Sequence, residues 1–373
     1  MKRLCKILCL ILVIISVFSF ASCNDENGPK IENIGVPSAE RFKWPDAARC
    51  VWDMKVWNGI LYVGSGDYSA NTGPTDVWAY DISKGTWSSS GKVNEEAVLR
   101  FNVIGNHLMI PGADPKDGWG MGNYYKLEQG TWTKYNVLPK AVHAFDMIEY
   151  NGEIIVGIGS AKEGYLALSS KDGGQTFEYI EFMYNNKPRD FSKYDVCRMY
   201  ELFTLNGTLY GFAYNSGNNP SAEINVYKNG KFHYYKSGVD FWQTTRITSN
   251  VLGSKEEFNG KLFFCHNYLY STSNLKDVQK VELPLDENTS QFRIYDGKMY
   301  VLCYEKKGDR PNVSYTVRIY ESQTGLDGFN EICEFEFDVP PLSFDKDGNT
   351  FYVGMGEKKE GLLSNGTVFK ITI

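Results

Sequence analysis

The chain is poor in the groups from which recognisable catalytic motifs are built. It has only four histidines, and His107, His233 and His266 lie in strand-like runs, with no pair at metal-ligand spacing. Gly-x-Ser-x-Gly, His-Glu-x-x-His, a phosphate-binding P-loop and a dinucleotide glycine fingerprint are all missing. Cys-x-x-Cys pairs are missing too, which excludes the usual zinc frameworks. Beyond Cys23 there are five cysteines (Cys50, Cys197, Cys265, Cys303 and Cys333). An odd number, widely spaced and mostly within apolar runs, reads as small buried hydrophobes rather than a disulfide framework. Neither a metal nor a cofactor is expected. Asp345-Lys-Asp347-Gly-Asn349 starts like a calcium loop, but it lacks Gly at the sixth position and Glu at the twelfth. Positive charge is scarce as well. The net charge is −6, and without residues 1–22 the chain loses Lys2, Arg3 and Lys6 but no acid, giving −9. Such a balance argues against nonspecific nucleic-acid binding.

What the chain has in quantity is aromatics and turns. It carries 25 Tyr, 22 Phe, 8 Trp and 36 Gly, and no long stretch has the 3.6-residue period of a helix. Seven times an apolar run meets a tight turn and re-emerges as another: Asn58-Gly59, Gly105-Asn106, Asn151-Gly152, Asn206-Gly207, Asn259-Gly260, Asp296-Gly297 and Asp347-Gly348. Asn-Gly and Asp-Gly links suit two-residue hairpins because both positions tolerate positive φ. The turns recur every 37 to 55 residues, and repetition at this period in an all-β pattern signals one sheet per repeat around an axis. The expectation is an all-β, seven-bladed β-propeller over residues 31–373. An aromatic after the third turn of a repeat (Trp87, Trp132, Phe177, Phe232) should pack blade on blade. The last repeat has three strands, so Lys30 to Val36 is expected to supply its fourth and close the ring, as in many propellers.

Residues 1–22 read as an export leader: a basic start, an apolar run from Ile7 to Phe20 and small residues before Cys23. Phe-Ala-Ser-Cys resembles the lipobox of bacterial lipoproteins, in which the cysteine is lipidated. The resemblance implies an exported chain anchored through Cys23 to the outer membrane, with residues 23–30 as a polar tether.

Ser170-Lys-Asp172-Gly-Gly-Gln-Thr176-Phe177 resembles the Asp box, or BNR repeat, of sialidase-like propellers. That motif is structural, lying on the non-catalytic side. Sialidases themselves have six blades, several Asp boxes and an Arg-Ile-Pro motif, for which the nearest stretch here is Arg41-Phe-Lys-Trp-Pro.

Hairpin turns and the outer turns share one face of a propeller, so the long polar loops on the opposite face form the working surface. Five of the nine arginines beyond the leader stand at the entry of an innermost strand: Arg49, Arg100, Arg198, Arg246 and Arg293, with His143 at the equivalent place in the third repeat. They read either as a ring of guanidiniums for an anionic ligand or as partners between blades. Loops around them carry Asp67, Tyr68, Asp114, Asp117, Trp119, Tyr194, Asp195 and Trp242, the acids and aromatic faces that sugar recognition uses. Three functions stay open: binding of an acidic glycan at the channel mouth, a glycoside hydrolase or polysaccharide lyase acting on uronic or sialic acid sugars, and a protein-interaction scaffold. Convergent carboxylates, or a Tyr–His pair, at the mouth would favour the enzyme.

Overall fold

The computed structural model describes residues 28–37, 46–67, 70–118, 120–160, 166–191, 196–216, 221–237 and 254–373. Residues 1–27, Cys23 among them, lie outside them. The chain is an all-β propeller. Each of the seven turns closes an antiparallel hairpin, the first between Asp53–Trp57 and Ile60–Gly64 and the last between Pro341–Asp347 and Thr350–Met355. Positive φ falls where the hairpins need it, for example 51° at Asn58 and 76° at Gly59.

The hairpins do not make seven separate blades. Among the described residues five stand as discrete four-stranded sheets, and the rest of the ring is one continuous ten-stranded sheet. The fusion occurs at the end of Glu153–Ser160, where Gly159 and Ser160, paired with His143 and Ala141 in their own hairpin, also pair with the next innermost strand, Gly159 opposite Arg198 and Ser160 opposite Cys197. Glycine permits the approach: a Cβ on Gly157 would lie 2.7 Å from the Met199 carbonyl oxygen. Turn spacing counts hairpins, and hairpins do not reveal whether neighbouring sheets share a hydrogen-bond ladder. The expected seven discrete blades are thus five.

The terminal sheet closes as the strand count requires. Lys30–Gly35 pairs antiparallel with Val368–Thr372, from Lys30 opposite Thr372 to Gly35 opposite Val368. Trp87 Nε1 of the first sheet donates to Ile34 O at 2.6 Å, fastening that outer strand to its neighbour. The repeated aromatics pack between sheets: Trp132 lies edge-on to Tyr62 at 5.7 Å, and Phe177 edge-on to Tyr124 at 6.0 Å. In the turn before Phe177, Asp172 Oδ1 accepts from the N–H groups of Gln175 and Thr176 at 3.0 Å each.

Apart from the bridge at Gly159 and Ser160, an innermost strand has no ladder partner on its channel edge among the described residues, so its backbone groups need others. Side chains supply them. Phe101 N donates to Asp53 Oδ2 at 2.8 Å, Leu202 N to Asp146 Oδ2 at 2.8 Å, Phe292 N to Ser254 Oγ at 3.2 Å and Phe344 N to Gln291 Oε1 at 2.7 Å, while Ser343 Oγ donates to Val51 O at 2.8 Å. Each bond links one innermost strand to the next, and together with direct packing they close the ring around an axial channel.

Candidate functional site

The channel holds a cavity of about 250 Å³, lined by Asp53, Arg100, Asn102, Asp146, Lys255 and Arg293 among others. Most of its charges are paired with one another. Arg100 lies 2.8 Å from Asp146 and 3.0 Å from Glu201, and Lys255 binds both carboxylates. Arg293 bonds Asp53 at 2.6 Å, and Lys55 stands 3.5 Å from Asp345. Burial works against the charge on Arg100, but Asp146 and Glu201 outweigh it and hold the guanidinium ionised. Burial likewise opposes ionisation of Asp146, yet Arg100 and Lys255 draw its carboxyl down to about 2. Arg100 and Arg293 are therefore committed to internal carboxylates, inside a space smaller than the roughly 300 Å³ at which ligand pockets begin.

The other predicted residues divide clearly. Arg49 sits in the 3-10 turn Asp46–Arg49, buried, with Nη2 donating to Leu362 O at 3.2 Å. Asp67 shapes its own loop, accepting from Ala70 N at 3.3 Å, and pairs with Lys358 at 3.3 Å. Asp117 is exposed and bonded to Lys134. Arg246, Tyr68, Trp119, Tyr194, Asp195 and Trp242 lie outside the described residues.

His143 and Arg198, by contrast, come together where Ala141–Tyr150 and Val196–Leu205 enter the ring. The imidazole of His143 stacks on Phe145 at 5.4 Å between centroids. Phe145 in turn packs on Tyr200 at 4.6 Å, and the Arg198 guanidinium lies 5.7 Å from the centroid of Phe145. Arg198 Nη1 donates to the Tyr200 hydroxyl at 3.1 Å. Among the described residues no carboxylate lies within ion-pair distance of Arg198.

A β-bulge brings the two rings into this cluster. Ala144 pairs with Ile158 and Asp146 with Gly157, leaving Phe145 unpaired; Met199 pairs with Ala213 and Glu201 with Phe212, leaving Tyr200 unpaired. A bulge bends the strand and re-aims the extra side chain. Phe145 and Tyr200 were absent from the sequence-based candidates, although their i+2 spacing from His143 and Arg198 was a signal for a shared face.

The loop after the second sheet's His107–Pro111 strand completes the mouth. His143 Nδ1 lies 2.5 Å from Ala113 O, so Nδ1 carries the proton and donates, leaving the Nε2 lone pair available. Burial, reinforced by Arg198, pulls the imidazole down to about 4, so it is neutral at neutral pH. Asp114 Oδ2 stands 3.7 Å from the same Nδ1. Burial and the nearby Glu96 push Asp114 up to about 6, against Arg198 and Lys116. Behind the loop, fully buried Glu95 accepts from Asn123 Nδ2 at 2.6 Å, Tyr125 Oη at 3.0 Å and Asp114 N at 3.0 Å. Its burial nevertheless pushes it up to about 7. The arrangement thus combines a guanidinium, a neutral base, a phenol and an aromatic face. Among the described residues no cluster of His, Cys, Asp and Glu could hold a metal ion.

No protein-family model and no curated protein matches the chain. Several solved structures are similar in fold. A chain of the mitotic checkpoint complex superposes with a TM-score of 0.49 at 10% identity, over 92% of this chain and 94% of that one. The β-propeller domain of the Trilobed protease from Pyrococcus furiosus gives 0.45 at 12% identity, over 83% and 93%. The polysaccharide lyase Uly1 gives 0.46 at 7% identity, over 91% and 95%.

Proposed function

We propose that the protein binds an acidic glycan at the mouth formed by His143, Phe145, Arg198, Tyr200 and Asp114. One observation carries this reading: Arg198 holds its guanidinium at the mouth with a phenol and an aromatic ring for company and, among the described residues, no carboxylate at ion-pair distance. A planar donor fork beside an aromatic face suits a uronate, whose carboxylate takes the fork and whose apolar ring face meets the aromatic. Calorimetric titration of an oligouronate into the chain lacking residues 1–23 tests it, with the neutral oligosaccharide as control. Arg198→Met keeps much of the stem and should weaken binding by about 1.5–3 kcal/mol with little change in melting temperature. Equal affinity for acidic and neutral sugars would refute the reading.

The tautomer of His143 favours a second reading, a polysaccharide lyase. With the sugar carboxylate neutralised by Arg198, Nε2 of His143 would take the proton from the carbon bearing that carboxylate. The C–H electrons become the new ring double bond, the C–O bond to the leaving sugar breaks, and its oxygen takes a proton from the Tyr200 hydroxyl. An ultraviolet-absorbing unsaturated product, lost in His143→Gln while binding persists, would separate lyase from binder. Cys23 would anchor either activity at the outer membrane. Cys23→Ser should release the protein from the membrane fraction.

A further inference from the structure

Resting on the anion-binding reading of the mouth, we propose that Asp114 is a proton-controlled counter-ion to Arg198, so that the acidic ligand and a proton are taken up together. Among the described residues, the groups that face Asp114 come from four segments. Lys116 lies on its own loop, and its ammonium is held by Glu96 at 3.1 Å and by Asn71, so it offsets only part of the field that Glu96 sets at Asp114. Glu95 faces the backbone of Asp114 rather than its carboxyl. His143, from Ala141–Tyr150, donates to Ala113 O and is neutral above about pH 5. Arg198, from Val196–Leu205, is the cation at the mouth: its guanidinium lies over Phe145, which stacks on His143, whose Nδ1 is 3.7 Å from the Asp114 carboxylate. Its field draws Asp114 down while that of Glu96 pushes it up. When ionised, Asp114 offsets the field that a ligand carboxylate would meet and repels that carboxylate. Protonated, it removes the repulsion and can donate a hydrogen bond. The carboxyl is most of the way into the fold, with its side chain 20% exposed, so solvent screens this competition only in part.

The test is calorimetry with an oligouronate at pH 5, 6, 7 and 8, each in two buffers of different ionisation enthalpy. The wild-type chain should bind about five- to tenfold more weakly at pH 8 than at pH 5 and take up a fraction of a proton near neutrality. Asp114→Asn should bind at pH 8 as tightly as wild type does at pH 5, with little slope between. A slope that persists in Asp114→Asn belongs to another group, Glu95 foremost, and overturns the proposal, as does a flat wild-type profile. If the wild type binds no oligouronate at any pH, the reading of the mouth has failed. Carboxyl carbon-13 titration then decides the counter-ion itself. Arg198→Met should raise the midpoint of Asp114, and an unmoved midpoint overturns the pairing.

Discussion

Arg100 and Asp146 form a 2.8 Å ion pair inside the channel, reaching from one innermost strand to the next. Each has a second partner: Arg100 bonds Glu201, while Asp146 bonds Lys255 and accepts from Leu202 N. Removing one member leaves buried charges without an answer, which typically costs about 3–5 kcal/mol. Arg100→Met should therefore lower stability by that order, measured by urea denaturation, while oligouronate affinity stays close to wild type. Arg198→Met should do the opposite. The pair of variants separates the two uses of arginine in this ring, and a loss of affinity without destabilisation in Arg100→Met would contradict the assignment.

The hairpins were legible in the sequence because their chemistry is local: Asn-Gly and Asp-Gly tolerate the positive φ that the turn demands. Closure by Lys30–Gly35 was legible from the missing fourth strand. Sheet count was not, because the bridge from Gly159 and Ser160 to Arg198 and Cys197 leaves no mark on turn spacing. The arginine pattern was visible but ambiguous. Asp53, Arg100, Asp146, Glu201, Ser254 and Gln291 each stand five residues before the first residue of a hairpin turn, and this recurrence of polar residues marks the inter-strand stitching better than the arginines do. Phe145 and Tyr200 were legible only as alternation partners of His143 and Arg198; the bulges that leave each of them unpaired and aim it into the mouth have no mark in the sequence.

Ring closure predicts a sharp difference between two truncations. Deleting residues 24–37 removes the strand paired with Val368–Thr372 and the Ile34 carbonyl that Trp87 uses, exposing a sheet edge. Deleting only 24–29 leaves both in place. The longer truncation should melt well below the full-length chain and the shorter one close to it, by differential scanning calorimetry. Equal melting temperatures would contradict a stabilising role for the terminal strand.

Trp132 offers a test of blade-to-blade packing. It is buried, packs on Tyr62 and lies 6.0 Å from Phe101, and its Nε1 has no hydrogen-bond partner. Trp132→Ala opens a cavity between two sheets and should cost about 3–5 kcal/mol. Trp132→Phe removes a donor that was already unsatisfied, so its loss should be clearly smaller. Equal losses in the two variants would mean that the indole N–H has an energetic role beyond packing.

Two acids and one imidazole set the pH dependence of stability between about pH 4 and 7. Glu95 is pushed up to about 7 and Asp114 up to about 6, each above its ordinary value of 4.5 or 3.8 and each mainly through burial. For an acid whose folded value is raised, the unfolded chain releases its proton first as pH rises. Stability is therefore fully present below the ordinary value, falls between it and the raised value, and levels off above. His143 opposes them: its imidazole is pulled from 6.5 to about 4, so it adds stability as pH rises to about 6.5. With two acids against one base, melting temperature should fall modestly from about pH 5 to about pH 7.5 and flatten beyond. Asp146 acts in the opposite sense: its carboxyl is drawn down to about 2, so the stability it contributes is lost only on strong acidification, outside this window. Glu95→Gln keeps an oxygen for Asn123 and Tyr125 but gives up the bond from Asp114 N. Its melting temperature should be lower at pH 5 and less steep towards pH 7.5. A slope unchanged in Glu95→Gln would show that the three donors on Glu95 offset its burial.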